Sequence, residues 1–352
     1  MKINRKNNFD LIRLIAAIVV VIAHTASNSQ YEAFLTLESI FNPKTAVDSF
    51  FIISGFLIFR SFENSSSLGN YIQKRAKRIL PAYIAVIVVC AFGLFFVSSV
   101  NIGEYFNLEF IKYIFFNLLT LNFLQSTLPG VFVDNSQTAA VNPSLWTIKV
   151  EKMFYVVVPL IVYFLRKTNK ALVIGIIYFL SILYSNIVIQ LSDRLSPEFI
   201  TQLEQQLPGQ MAFFISGALL YYFYDKFSDN VMLLLSIAAF IIAIHNFATE
   251  IYLFYPLALA VIIIYFCLMF KYLGNFSKYG DFSYGIYIWH FPILQVFNHF
   301  NLFSNPWIGV PLLFACVFSI SCLSWNFIEK PFLRRKSNHV VAEAKQEELV
   351  TK

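Results

Sequence analysis

Charged side chains are scarce in this 352-residue chain, at 13% against the roughly 25% of a soluble domain. Cysteine is scarcer still. Its four copies, Cys90, Cys267, Cys316 and Cys322, all fall inside apolar runs, which reads as packing rather than as a disulfide or metal framework. A chain with so few ionisable groups cannot cover itself with a polar surface, so a water-soluble fold is excluded. The net charge of +6 does not point to nucleic acid either, because the basic residues sit in short segments beside apolar runs.

What is present is hydrophobic, at 58% of residues with 18% aromatic. Apolar runs recur from Leu11 to Ile328, and many reach the roughly 17–25 residues that a bilayer-spanning helix needs. The expected fold is an all-α polytopic membrane protein with about ten spans. They are placed at Phe9–Ser27, Ala46–Phe62, Pro81–Val100, Ser144–Leu165, Leu172–Leu191, Pro208–Tyr224, Val231–His245, Ile251–Phe270, Phe282–Phe300 and Trp307–Ile328. Lys and Arg concentrate before the first span and after the second, fourth, eighth and tenth, which predicts cytoplasmic N- and C-termini. The first run carries Arg13 and lacks an Ala-x-Ala site, so it is not read as a cleavable signal peptide. Ile111–Leu124 is apolar but short, which fits an interfacial or re-entrant helix. The membrane domain is expected over 1–336, followed by a polar, disordered tail over 337–352.

Ionisable residues inside a bilayer are expensive and mark function by default. Arg13 and His24 lie eleven residues apart on the first span, within about 20° of three full helical turns, so both fall on one face about 16 Å apart along the axis. A snorkelling arginine and a packing histidine are the bland reading. The chemical reading is a base for acyl transfer, since imidazole accepts a hydroxyl proton near neutral pH. Asp48 opens the second span at a similar depth, either orienting an imidazole or complementing a helix N-terminus. Ser54 and Gly55 in Ser49–Phe59 would let a neighbouring helix or a ligand approach the backbone closely.

The run Tyr71–Tyr83 carries Lys74, Arg75 and Arg78 at helical spacing, a cluster suited to the phosphates of a nucleotide-bearing cofactor or to anionic lipid. Glu151 falls below the start of the fourth span, with Lys149 and Lys152 as possible ion-pair partners. His290 stands near the middle of the ninth span, before Pro292. His245 and His299 fall near span ends, where interfacial roles are commoner.

These pieces, in this order, resemble the acyltransferase-3 family of membrane acyltransferases. The matching stretches are Phe9–Arg13 through His24, Asp48 with FFIISGFLI, Arg75 to Tyr83, Ser144-Leu-Trp146 with Glu151, Ser283-Tyr284 to His290, and Ile328–Phe332. The resemblance implies an O-acyltransferase, most often an O-acetyltransferase, acting on a hydroxyl of a cell-surface carbohydrate or its lipid-linked precursor. Acetyl-CoA would be the donor, without a metal, in the inner membrane of a bacterium. His24 would be the catalytic histidine, Arg13 its partner at the acyl-CoA, and Asp48 and Glu151 orienters of His24 or of the acceptor. Lys74, Arg75, Arg78 and Tyr83 would hold the cofactor, and Ser144, Trp146 and His290 the acceptor. Lys152 departs from the polar or acidic residue usual at its position. The short tail fits the stand-alone class, without an appended extracytoplasmic domain. A lipid-linked saccharide flippase or secondary transporter is the rival reading, since intramembrane charges also suit a substrate pathway.

Overall fold

The computed structural model describes residues 6–29, 40–135, 137–248 and 252–334. Helices dominate, and no strand occurs among the described residues. In chain order the longer helices are α1 (Phe9–Ser29), α2 (Pro43–Glu63), α3 (Leu68–Gly93), α4 (Leu108–Leu118), α5 (Trp146–Lys167) and α6 (Lys170–Gln190). They continue with α7 (Pro197–Glu204), α8 (Leu207–Tyr222), α9 (Val231–Phe247), α10 (Tyr255–Leu268), α11 (Ser283–His299) and α12 (Pro306–Ser324). Every expected span coincides with one of these over most of its length. Five segments are long and apolar enough to cross a membrane: Phe9–Ser29, Pro43–Glu63, Leu68–Val97, Lys170–Gln190 and Pro306–Leu333.

Two boundaries differ from expectation. α3 begins at Leu68, not at Pro81, so the basic run and the apolar run form one continuous helix with Pro81 inside it. Charged residues are good helix formers, and only the search for an apolar window placed the start late. The Ile111–Leu124 segment is helical only as far as Leu118, and irregular chain follows. The tail over 337–352 and the charges Lys2, Arg5, Arg335 and Lys336 lie outside the described residues.

Asparagine opens several helices. Asn42 Oδ1 accepts from the Lys44 and Thr45 amides at 2.8 and 3.2 Å ahead of α2, with Pro43 in the first turn. Asn169 and Asn107 do the same for α6 and α4. Outward side chains are apolar: Val156 is 76%, Phe240 66% and Ile308 65% exposed. In water such a surface would aggregate; in lipid it is solvated.

The chain divides into two compact units, Met1–Tyr71 with Leu145–Ser277, and Ile72–Ser144 with Lys278–Lys352. In the first, Phe154 stacks on Phe214 with ring centroids 3.9 Å apart, and Phe51 meets Phe154 edge-on at 5.4 Å. α2 and α8 touch backbone to backbone. A Cβ on Gly55 would lie 1.9 Å from the Phe214 carbonyl oxygen, and one on Gly217 would lie 2.0 Å from that of Ile52. Positions 55 and 52 thus face 214 and 217 in reverse order, an antiparallel crossing of the small-residue type common in membranes. At one end, Glu63 accepts from Arg166 Nη2 at 2.6 Å and from the Tyr222 hydroxyl at 2.7 Å, tying α2, α5 and α8 together.

In the second unit, the irregular chain after α4 is pinned to α11 by buried amides. Gln295 Nε2 donates to the Thr138 and Ala140 carbonyls, both at 2.7 Å, and Asn142 Nδ2 donates to the Ile288 carbonyl at 2.8 Å. Beyond α12 the helix widens into a π turn over Trp325–Glu329, a local irregularity often retained for function.

Candidate functional site

α1 is unbroken from Phe9 to Ser29, so helical geometry keeps Arg13 and His24 on one face. Both are half-buried. Arg13 Nη2 donates to the Asp10 carboxylate one turn back, so the guanidinium has a local counter-ion at this end of the helix. At the other end, Asn28 Nδ2 caps the His24 carbonyl at 2.8 Å. Thr25 Oγ1 bonds back to the Val21 carbonyl at 2.7 Å, which absorbs a polar group that would otherwise face apolar surroundings.

Asp48, one turn into α2, is 2% exposed, and its Oδ2 accepts no hydrogen bond from the described residues. It lines a cavity of about 400 Å³ within the first unit. The histidine on that cavity's wall is His245; His24 is not among the lining residues. Glu204, Tyr252 and Tyr255 also line it, none of which stands out in the sequence: Glu204 and Tyr255 sit at helix ends and Tyr252 in the turn before α10.

Glu151 is half-buried on α5 and accepts from the Tyr155 hydroxyl at 2.6 Å, while Tyr71 donates to the Tyr155 carbonyl at 3.2 Å. Lys149 donates to Gln206 Oε1 at 3.1 Å. Trp146 opens the same helix with its ring edge-on to Phe51 at 6.2 Å.

The basic face of α3 belongs to the second unit. Lys74 is exposed, and Arg75 and Lys77 are half-buried. Arg78 is engaged internally: Nη2 bonds Asp281 Oδ2 at 2.5 Å, and Nη1 lies 3.9 Å from Glu329 Oε2 in the π turn. Asp281 also accepts from Ser283 Oγ at 2.6 Å, and Ser324 Oγ donates to Glu329 Oε1 at 3.2 Å. Sequence reasoning missed Asp281, which stands 203 positions away from its arginine. Tyr83 is 1% exposed and donates to the Asn117 carbonyl at 2.6 Å, so its ring packs α3 rather than facing outward.

Ser144 and His290 meet in the second unit, 4% and 1% exposed. His290 Nδ1 lies 2.6 Å from the Tyr287 carbonyl, which can only accept, so Nδ1 carries the proton. Nε2 faces Ser144 Oγ at 3.4 Å. Tyr287 donates in turn to the Ser144 carbonyl at 3.3 Å, and the cluster fastens the chain before α5 onto α11.

Among the described residues, no group of three or more His, Cys, Asp or Glu side chains is placed to hold a metal ion. No solved structure matches the chain. An O-acetyl transferase of Shigella phage Sf6 is 28% identical over 95% of this chain and 98% of its own length. Nodulation protein 10 of Rhizobium leguminosarum bv. viciae is 26% identical over 95% of each. A peptidoglycan O-acetyltransferase of Listeria monocytogenes serovar 1/2a is 24% identical over 92% of this chain but 55% of that longer protein. The family model described as an acyltransferase domain matches residues 6–326, nearly the whole length, and the chain belongs to this acyltransferase family.

Proposed function

We propose that the chain is a multi-pass O-acetyltransferase of a bacterial inner membrane that moves an acetyl group from acetyl-CoA to a carbohydrate hydroxyl. The observation that carries the reading is a single apolar helix, unbroken over Phe9–Ser29, holding one guanidinium and one imidazole on a shared face in a chain of this family. The end-to-end match to an O-acetyl transferase supports acetyl over longer chains.

In this reading His24 takes the proton of the acceptor hydroxyl as its oxygen attacks the thioester carbonyl. The carbon–sulfur bond breaks, the ester forms, and the proton ends on the departing CoA thiol. A route in which His24 carries the acyl group briefly is chemically equivalent overall. Arg13 contacts the acyl-CoA. Lys74 and Arg75 hold phosphates, a role suited to exposed or half-exposed cations. Arg78, paired with Asp281 and near Glu329, organises the end of α3 and contributes to phosphate binding only through that framework.

Acetyl-CoA should therefore raise the melting temperature of the purified chain; at a hundred times Kd the stabilisation is about 2.7 kcal/mol. The Lys74→Ala, Arg75→Ala double variant should melt like the parent without ligand and lose most of that rise. Arg78→Ala should instead be destabilised by about 3–5 kcal/mol and so melt lower in the absence of ligand, because it strands partly buried carboxylates. A chain indifferent to acetyl-CoA would count for the transporter reading. Mass spectrometry of the surface glycan from cells with and without the gene tests the reaction itself. The reading requires acetyl esters that disappear with the gene.

A further inference from the structure

The cavity beside Asp48 has no part in the donor chemistry above, and its lining is specific. At about 400 Å³ it falls within the roughly 300–1,000 Å³ of small-molecule sites. Its walls come from the first turn of α2, the later half of α6, the junction of α7 with α8, and the facing ends of α9 and α10. Aromatic rings line it: Tyr252 and Tyr255 meet Phe213 edge-on at 6.4 and 6.1 Å, and His245 stacks on Tyr255 at 4.3 Å. The same lining holds the Asp48 carboxyl, 2% exposed, with Oδ2 accepting nothing from the described residues, and the Tyr255 hydroxyl lies 3.2 Å from Thr45 Oγ1 in the same turn of α2.

The formal charge decides what kind of molecule fits. Lys44 is opposed by Asp48 and Glu204, so the lining is not cationic and offers a phosphate or the nucleotide of a cofactor no net attraction. An acyl chain or lipid tail is equally unsuited, since it would leave the Asp48 carboxyl, whose Oδ2 has no partner among the described residues, desolvated against hydrocarbon. A neutral polyol satisfies both constraints. Its hydroxyls donate to a carboxylate with acceptor capacity to spare, and its C–H face packs on tyrosine rings that are apolar in body and polar at the tip.

We infer that this cavity is the subsite for a neutral sugar ring of the acceptor, with Asp48 accepting from a sugar hydroxyl and Tyr252 and Tyr255 forming the stacking wall. The inference rests on the carbohydrate reading of the transfer reaction and goes further by naming where the carbohydrate is held. It also gives Asp48 a role at the acceptor instead of at His24.

The test uses the full chain in lipid nanodiscs. The probe is a set of neutral oligosaccharides cut from the surface polysaccharide of the producing cell after alkaline removal of its esters. Binding is read by saturation-transfer NMR, and the melting temperature is recorded with and without acetyl-CoA. The parent should bind. Asp48→Asn should bind about tenfold more weakly, the scale of one hydrogen bond to a charged group. Tyr252→Ala should weaken binding similarly, and Ser185→Leu, which places bulk in the cavity, should abolish it. All three should keep the acetyl-CoA-induced rise in melting temperature. Parent-like binding by Asp48→Asn and Ser185→Leu would overturn the subsite and leave the transferase reading standing. No binding by the parent would also overturn it, and the glycan analysis would then decide the transferase reading separately.

Discussion

Gly217→Ala is expected to abolish most of the folded yield of the chain, although it adds one methyl group. The new Cβ would stand 2.0 Å from the Ile52 carbonyl oxygen and 2.9 Å from the Phe56 amide nitrogen. Those are backbone atoms of α2 and cannot rotate away, so the two helices must separate. Overpacking a well-filled interior costs about 1–3 kcal/mol where side chains can yield, and a backbone clash belongs at or beyond the top of that range. Separation also forfeits the stack of Phe154 on Phe214. Within a bilayer, helix association depends on such close packing because lipid supplies no hydrophobic drive between helices. Gly55→Ala should behave alike, since its Cβ would meet the Phe214 carbonyl at 1.9 Å. The double variant should be little worse than either single one, because helices already wedged apart no longer resist the second methyl. The control is Gly175→Ala on α6, where a Cβ meets nothing within 4 Å. It should be neutral, or more stable by about 0.5–1 kcal/mol from helix propensity. Fluorescence-detected chromatography and thermal inactivation of detergent-solubilised protein read all four. Parent-like yield and melting for Gly217→Ala would show that the crossing is not as close as described.

The helices were legible because hydropathy reports what a segment faces, and apolar runs of sufficient length have few alternatives. Gly55 was legible for a related reason: a glycine amid Phe, Ile and Leu has little use except close approach. Its counterpart Gly217 was not, since nothing local says which helix a small residue will meet. The start of α3 was missed because the apolar window that locates a span excludes a basic segment, even though Lys and Arg are good helix formers. Arg78 read as one more cation of a phosphate-binding cluster, and only the fold brings it Asp281 from 203 positions away. Tyr83 likewise read as a cofactor contact, whereas burial to 1% turns its hydroxyl toward the Asn117 carbonyl. The cavity was illegible altogether. It is assembled from the ends of α2, α6, α7, α8, α9 and α10, and no local pattern links Asp48 to Tyr252 or Glu204. What periodicity on one helix determines can be read from sequence; what several helix ends create together cannot.

His24→Ala is expected to lower the rate of acetyl transfer by about 10²–10⁴-fold, the contribution of a positioned general base, equivalent to about 3–5.5 kcal/mol of transition-state stabilisation. Folding should be retained, because the ring is only half-buried and α1 is held by other contacts, including Asn8 Nδ2 to the Phe266 carbonyl at 3.0 Å. The loss should therefore appear in kcat while acetyl-CoA still raises the melting temperature. Arg13→Ala should act differently, weakening the apparent affinity for the donor more than the turnover. If the two groups serve one transition state along one helix face, the double variant will fall short of the product of the single effects. Single-turnover reaction with labelled acetyl-CoA separates the two chemical routes. Label retained on the parent but not on His24→Ala identifies a covalent carrier, and no retention in either identifies direct transfer. Undiminished acetate in the surface glycan of cells producing His24→Ala would remove the histidine from the reaction and the helix face from the site.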